Sequence, residues 1–307
     1  MKLTLGPLLF NWPATKRRDF YFGIADEAPV DVVYLGEVVC SKRTPLFEAY
    51  LSEVAERLVR AGKEVIVSTL ALIMSEREME AVRAIAEGSR YLVEANDMAC
   101  AAMLAGRPHA VGPFVNVYNE ATLGYLARNG AIRMTLPAEL PAPALAVLAR
   151  AADGVELEVQ AFGRLPLAIS ARCYHARVND LHKDSCRYVC ADHPDGMPIE
   201  TLDNEPFLAV NGTQTMSHAL CSLIRELDDL VDAGLNCFRL WPHAIDMIAV
   251  TETFRDVLDH RRSAEEAEAR LGDLVTFAPF SNGFYYGREG AARIAASPFA
   301  GRGDGLA

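Results

Sequence analysis

Gly62-Lys63-Glu64-Val65-Ile66-Val67-Ser68-Thr69, then a helical run to Gly88, then Tyr91-Leu92-Val93-Glu94-Ala95: this stretch holds the phrase that decides the fold. Glycine ends a helix well because it takes the left-handed cap conformation without steric cost. After each such glycine comes a short β-rich run, then another helical run. The phrase recurs at Gly62, Gly88, Gly106, Gly130, Gly154 and Gly234. It predicts strands near 3–9, 31–36, 64–69, 91–95, 109–116, 132–136, 155–160 and 236–241.

Eight strands alternating with helices predict an α/β fold, a (β/α)8 TIM-type barrel forming a single domain over residues 1–296. An open doubly wound sheet is the alternative. It is disfavoured because the chain has no G-x-G-x-x-G, and Gly62-Lys63 lacks the upstream glycine and the Ser/Thr of a phosphate loop. Helix starts are well marked. Thr44-Pro45 reads as a cap with proline at the first helical position, Asn119 as another cap, and Ser263–Glu266 as a capping box. Met216, Leu220, Leu223, Leu227, Leu230 and Val231 stripe one more helix, ended by Gly234. The glycine rhythm skips 80 residues between Gly154 and Gly234. A long insertion, about residues 161–213, is therefore expected after the seventh strand, and a disordered tail over 297–307.

The 307 residues are 51% hydrophobic and carry a net charge of −11. Nucleic-acid binders usually present a basic face, so no nucleic-acid partner is expected. The apolar stretch Leu3–Phe10 is short, contains Pro7, and precedes the charges Lys16, Arg17 and Arg18 instead of following them, unlike a secretory leader. The densest apolar run, Val65–Met74, is broken by Ser68 and Thr69, short of the ~18 residues a membrane helix needs. A cytoplasmic protein without a membrane span is expected. Seven cysteines, an odd number in a chain this long, argue for metal binding over a disulfide framework.

Three of those cysteines, Cys173, Cys186 and Cys190, lie in the insertion, and Cys40 follows the second strand. In a barrel all βα connections emerge at the same end, so a folded-back insertion can bring its thiols to Cys40. Soft sulfur ligands in such a cage suit iron–sulfur clusters or zinc. Spacing alone leaves both open, since His175, His182 and His193 stand near and would serve zinc. Cys100, Cys221 and Cys237 sit among apolar residues and read as buried free thiols.

The stretch Glu156–Cys173 resembles the signature of the collagenase-like peptidase family of unassigned catalytic type. Leu5–Pro13, Tyr34–Arg43, Ser68–Leu72, Asn211–Met216 and Asn282–Tyr285 resemble, in order, a member serving oxygen-independent ubiquinone biosynthesis. The resemblance implies a [4Fe–4S] cluster on Cys40, Cys173, Cys186 and Cys190. It also implies a heterodimer with a sister subunit, a ubiquinone precursor as substrate, and prephenate as oxygen source. Two departures weaken the expectation of proteolysis, which stays an alternative beside a structural zinc scaffold: Phe162 and Pro166 stand where the family signature carries histidine and cysteine, and the extra C-terminal domain of longer members is not seen.

Other residues are candidates by position. Val155–Val159 alternates, which turns Glu156 and Glu158 toward the lumen, where a carboxylate needs a partner or a task. Arg133 and Arg239 are the candidate partners, and Glu158, read as nearer the mouth, is the better functional candidate. Glu37, Asn96 and Asn116 sit at or past strand ends, where barrel sites assemble. Arg43, Arg172 and Arg177 flank the proposed ligands; Arg43 and Arg172 are expected to serve an anionic cluster or a carboxylate substrate. His218 and His243 read as structural. No G-x-S-x-G or H-E-x-x-H supports a hydrolase.

Overall fold

A computed structural model describes residues 1–295; the expected tail over 297–307 lies outside the described residues. The chain runs β1 (Lys2–Leu5), α1 (Ala14–Asp26), β2 (Val32–Gly36), α2 (Thr44–Arg60), β3 (Glu64–Ser68), α3 (Glu76–Gly88) and β4 (Leu92–Ala95). It continues α4 (Met98–Met103), β5 (His109–Val111), α5 (Glu120–Arg128), β6 (Ala131–Thr135), α6 (Ala142–Ala151) and β7 (Glu156–Ile169). Then come α7 (Tyr174–Val178), β8 (Met197–Glu200), β9 (Pro206–Asn211), β10 (Gln214–Ser222), α8 (Leu227–Asp232), β11 (Cys237–Leu240), α9 (Met247–Leu258), α10 (Ala264–Leu274) and β12 (Phe280–Ser281).

Strands β1 to β7 pair in order, and β11 pairs with both β1 and β7, closing an eight-stranded parallel barrel. This is the expected (β/α)8 architecture. Gly62, Gly106, Gly130, Gly154 and Gly234 all take positive φ at the ends of their helical segments. Gly88 does not; it sits in the last turn of α3, which Ser89 ends. Asn119 accepts from Thr122 N as a cap, and Ser263 and Glu266 form the reciprocal box. No helix among the described residues is long and apolar enough to cross a membrane.

Three expectations are corrected. The fifth strand stops at Val111, because Pro113 cannot donate to a ladder and opens a 3-10 turn instead. The helix expected over Met216–Val231 begins instead as a strand, through Ser222. β10 lies antiparallel between β7 and β9, and only Leu227–Asp232 is helical. Met216, Ala219, Leu220 and Cys221 are all buried, so the strand lacks the polar alternation that would have marked it.

The fold also departs from expectation in β7, which does not end near residue 160. Its first half belongs to the barrel; its second half leaves the barrel and pairs with β10, which carries β9 and β8 as a three-stranded branch. The bend falls at Gly163, with φ +113, where an added Cβ would stand 2.7 Å from Trp241 Cβ. Only glycine fits both the backbone and the space.

Inside the barrel Arg239 is fully buried. Its Nη2 donates to Glu94 Oε1 at 2.7 Å and to Glu158, and its guanidinium stacks on Tyr34 at 4.0 Å from the ring centroid. Tyr34 and Thr135 hydroxyls donate to Glu158 at 3.0 and 2.6 Å, and Thr4 donates to it as well. Burial alone would raise the Glu158 pKa; Arg239 and the hydroxyls reverse that and hold it below the ordinary range. Above this layer Leu9, Val38, Val39 and Trp241, from the loops after β1, β2 and β11, pack together over the C-terminal mouth.

Candidate metal centre

The loop after β2 carries Cys40, and the chain then makes one 3-10 turn, Ser41–Arg43, before α2. Glu37 shapes this loop by accepting from Val39 N at 3.0 Å and Cys40 N at 3.1 Å. Cys173 begins α7, and Ala176 N donates to its Sγ at 3.4 Å. Cys190 lies in the 3-10 turn Val189–Asp192, and Cys186 just before it. All four thiols line one pocket of about 330 Å³, part of it open to solvent, with Lys42, Arg43, Lys183, Tyr188, Val189 and Gly212. Cys190 is buried and the other three are half-buried.

The hairpin tip between β9 and β10 holds these pieces together. Asn211-Gly212 is a turn sequence that favours such a tip. Gln214 Nε2 donates to Leu9 O at 2.7 Å, and Thr213 Oγ1 to Val39 O at 2.8 Å. Asn211 Nδ2 donates to Cys190 O at 2.9 Å and to His193 O at 2.8 Å. Arg43, 2% exposed, reaches under the pocket; its Nη2 donates to Asn211 Oδ1 at 2.7 Å and its Nη1 to Leu9 O at 3.0 Å. Asn11 Nδ2 donates to Cys190 Sγ at 3.3 Å.

These residues fit a cluster. Four thiols face one space, and the buried Arg43 guanidinium, whose Nε has no hydrogen-bond partner, supplies positive charge beside them. Burial raises the Cys40 and Cys173 thiols above their ordinary pKa, so a cation or metal must help ionise them. Among the described residues no three His, Cys, Asp or Glu side chains stand close enough to grip one ion. A tetrahedral zinc with ~2.3 Å Zn–S bonds would need its sulfurs about 3.8 Å apart. A [4Fe–4S] cluster asks for four thiolates around one space, and four cysteines line this one. His175 Nε2 and His193 Nδ1 face each other at 3.0 Å, and neither lines the pocket.

The remaining candidates scatter. Arg43 lines the pocket; Glu37 lines the neighbouring cleft and stands 3.9 Å from Arg43 as an ion pair. Glu158 lies in the lumen, fully buried, with Arg239 and three hydroxyls as partners, and not at the mouth. Glu156 pairs with Arg133, and Asn96 Nδ2 donates to Glu94 Oε2 at 3.0 Å. Arg172 and Arg177 are exposed. Asn116, at φ +63, lines a different cleft with Phe114, Tyr118 and Glu139. His243 is structural: its Nδ1 meets Asp195 Oδ1 at 2.6 Å, and its Nε2 accepts from Arg164 N at 3.1 Å. Sequence reasoning assigned no role to Asn11, Lys42, Lys183 or the hairpin tip. The Asn-Gly dipeptide between two β-rich runs was the available signal for the last of these.

Gly212 gives a direct test of the tip. Its φ is +73, and an added Cβ would stand 2.3 Å from Arg43 Nη2. Gly212→Ala is expected to cost about 1–3 kcal/mol in backbone strain and to displace Arg43. Urea denaturation measures this; unchanged stability would show that the tip adapts freely.

A TIM-type barrel with four thiols gathered beside its C-terminal mouth is the class that fold and site define. The model for peptidase family U32 matches residues 22–295, and the chain belongs to that family. It is also 29% identical over 174 residues to the tRNA hydroxylation protein P2 of Bacillus subtilis (strain 168). That match covers 51% of this chain, and the chain spans only 53% of the relative's length.

Proposed function

We propose that this chain is the iron–sulfur component of an oxygen-independent hydroxylase, a counterpart of UbiV in ubiquinone biosynthesis. In this reading it works in the cytoplasm as a heterodimer with a sister subunit, UbiU. A ubiquinone precursor is the substrate and prephenate the oxygen source. The observation that carries the proposal is the gathering of Cys40, Cys173, Cys186 and Cys190 around one pocket. Family membership and the hydroxylation in the relative's name support the reaction class.

Bound on four thiolates, a [4Fe–4S] cluster supplies one-electron transfer, because a full cysteine cage leaves no iron position for substrate. The chain's own residues complete the setting. Arg43 offsets the charge of the thiolates, Asn211 and Gln214 lock the loops that carry them, and Asn11 donates to one sulfur. Zinc scaffolding on the same four cysteines is the second reading, and metal analysis of the purified protein separates the two. Proteolysis is the third, opposed by a His243 whose two ring nitrogens are both engaged. The relative's name raises RNA as substrate; the net charge of −11 works against it.

Cells grown without oxygen and lacking this chain should accumulate an under-hydroxylated ubiquinone precursor, while aerated cells should not. Normal ubiquinone in the anaerobic cells would remove the proposal. Asn11→Ala offers a finer check. Losing one N–H···S bond of about 1 kcal/mol should lower the cluster's reduction potential by roughly 40 mV in a one-electron titration. An unchanged potential would contradict the assigned contact.

A further inference from the structure

We propose that the cleft between α2 and α3 binds the aliphatic tail of an amphiphilic substrate and presents its acidic aromatic head beside the thiol pocket. The proposal rests on the reading above and extends it by assigning a substrate subsite.

The cleft exists because the helical ring opens there. α2 packs on α1, and α3 on α4. Ser68 turns into the lumen, where its hydroxyl donates to Glu94 at 2.6 Å, so Val65 and Val67 face outward. Val65 is buried under the helices, yet Val67, one turn of the pleat nearer the mouth, is only half-buried. The gap encloses about 1800 Å³, counting space open to solvent. Leu51 comes from one wall, Met74, Val82 and Ile85 from the other, and Val67 and Leu70 form the floor. An apolar strip of this extent at a barrel rim is unfavourable in water and suits a hydrocarbon chain, while Ser75, Arg77 and Glu48 stand among the polar side chains of the same cleft.

Its inner end is polar and charged. Lys42, Lys183 and Tyr188 line both this cleft and the thiol pocket, so one layer of side chains separates the two. Lys42 Nζ donates to the carbonyls of Lys183 at 2.7 Å and Asp184 at 2.8 Å, and Lys183 Nζ lies 3.9 Å from Met74 Sδ. Among the described residues neither ammonium forms a close salt bridge, although the charge of Lys183 helps hold the Glu78 carboxylate ionised, and both lysines are half-buried. The carboxylates of the cleft are otherwise placed. Glu78 accepts from Ser41 Oγ at 2.5 Å and Met74 N at 2.7 Å, Glu37 pairs with Arg43, and Glu48 and Asp184 are exposed. Two half-buried cations at the end of an apolar trough complement a chain that ends in a phenol or aromatic acid.

The test is calorimetric titration of the anaerobically purified full chain. The probes are 4-hydroxybenzoate carrying a farnesyl chain, farnesol alone, and 4-hydroxybenzoate alone. The farnesylated acid should bind at micromolar concentration, farnesol at least tenfold more weakly, and the bare acid not measurably. Ile85→Trp, or Leu51→Trp on the facing wall, should weaken the farnesylated acid tenfold or more, with circular dichroism and visible absorbance unchanged. Lys183→Gln should bring it down to the level of farnesol. No binding of the farnesylated acid, or equal binding in both tryptophan variants, overturns the subsite and leaves the cluster reading standing. Iron-free protein that still binds it in the Trp-sensitive way supports the subsite and removes the cluster.

Discussion

Cys190→Ala protein purified without air is expected to emerge colourless, its iron falling from about four per chain to below one. Cys190 is the most buried of the four thiols, and it is held from two sides: Asn11 donates to its sulfur at 3.3 Å and Asn211 to its carbonyl at 2.9 Å. A ligand so placed contributes direction as well as a bond, and three thiols in a half-open pocket hold a cluster poorly. The barrel should stay folded, because the turn that carries Cys190 belongs to the branch and not to the closed sheet. Cys100→Ala and Cys221→Ala serve as controls that keep their colour, since both thiols are buried elsewhere in the core. Full iron in the Cys190 variant would mean that the ligand set is wrong.

The second large effect is on stability. Arg239→Met is expected to cost about 3–5 kcal/mol, because Glu94 and Glu158 then stay buried without their cation. That is a large share of the ~5–15 kcal/mol that holds a typical domain. Urea denaturation should show the midpoint moving accordingly, and Arg239→Met combined with Glu94→Gln and Glu158→Gln should recover part of the loss. A single variant as stable as the parent would contradict the role assigned to the pair. The pH dependence follows from the depressed Glu158 pKa. Its contribution is present above the unfolded value of ~4.3 and is lost as pH falls from there through the folded value.

The barrel was legible because each βα unit carries its own punctuation: a strand of apolar residues, a capped helix and a glycine at its end. Strand β10 was not, because it is buried on both faces, and Met216, Leu220 and Leu223 then mimic a helical stripe. The thiols stood out as candidates because clustered cysteines in polar surroundings are rare. Arg43 stood out with them, but Asn11 did not, since Asn11 and Cys190 are 179 residues apart in the chain. The alternation around Glu158 correctly turned it inward, and pairing with Arg239 accounts for it there. Arg172 adjoins Cys173 in sequence yet is exposed, so adjacency to a ligand carried no information about direction.

Metal analysis of the parent protein, purified and kept anaerobic, bears on all of this most directly. The account predicts about four irons and four sulfides per chain, broad absorbance near ~400 nm, and a paramagnetic signal that appears on one-electron reduction. Colourless protein holding one zinc per chain, or none of these metals, would contradict it.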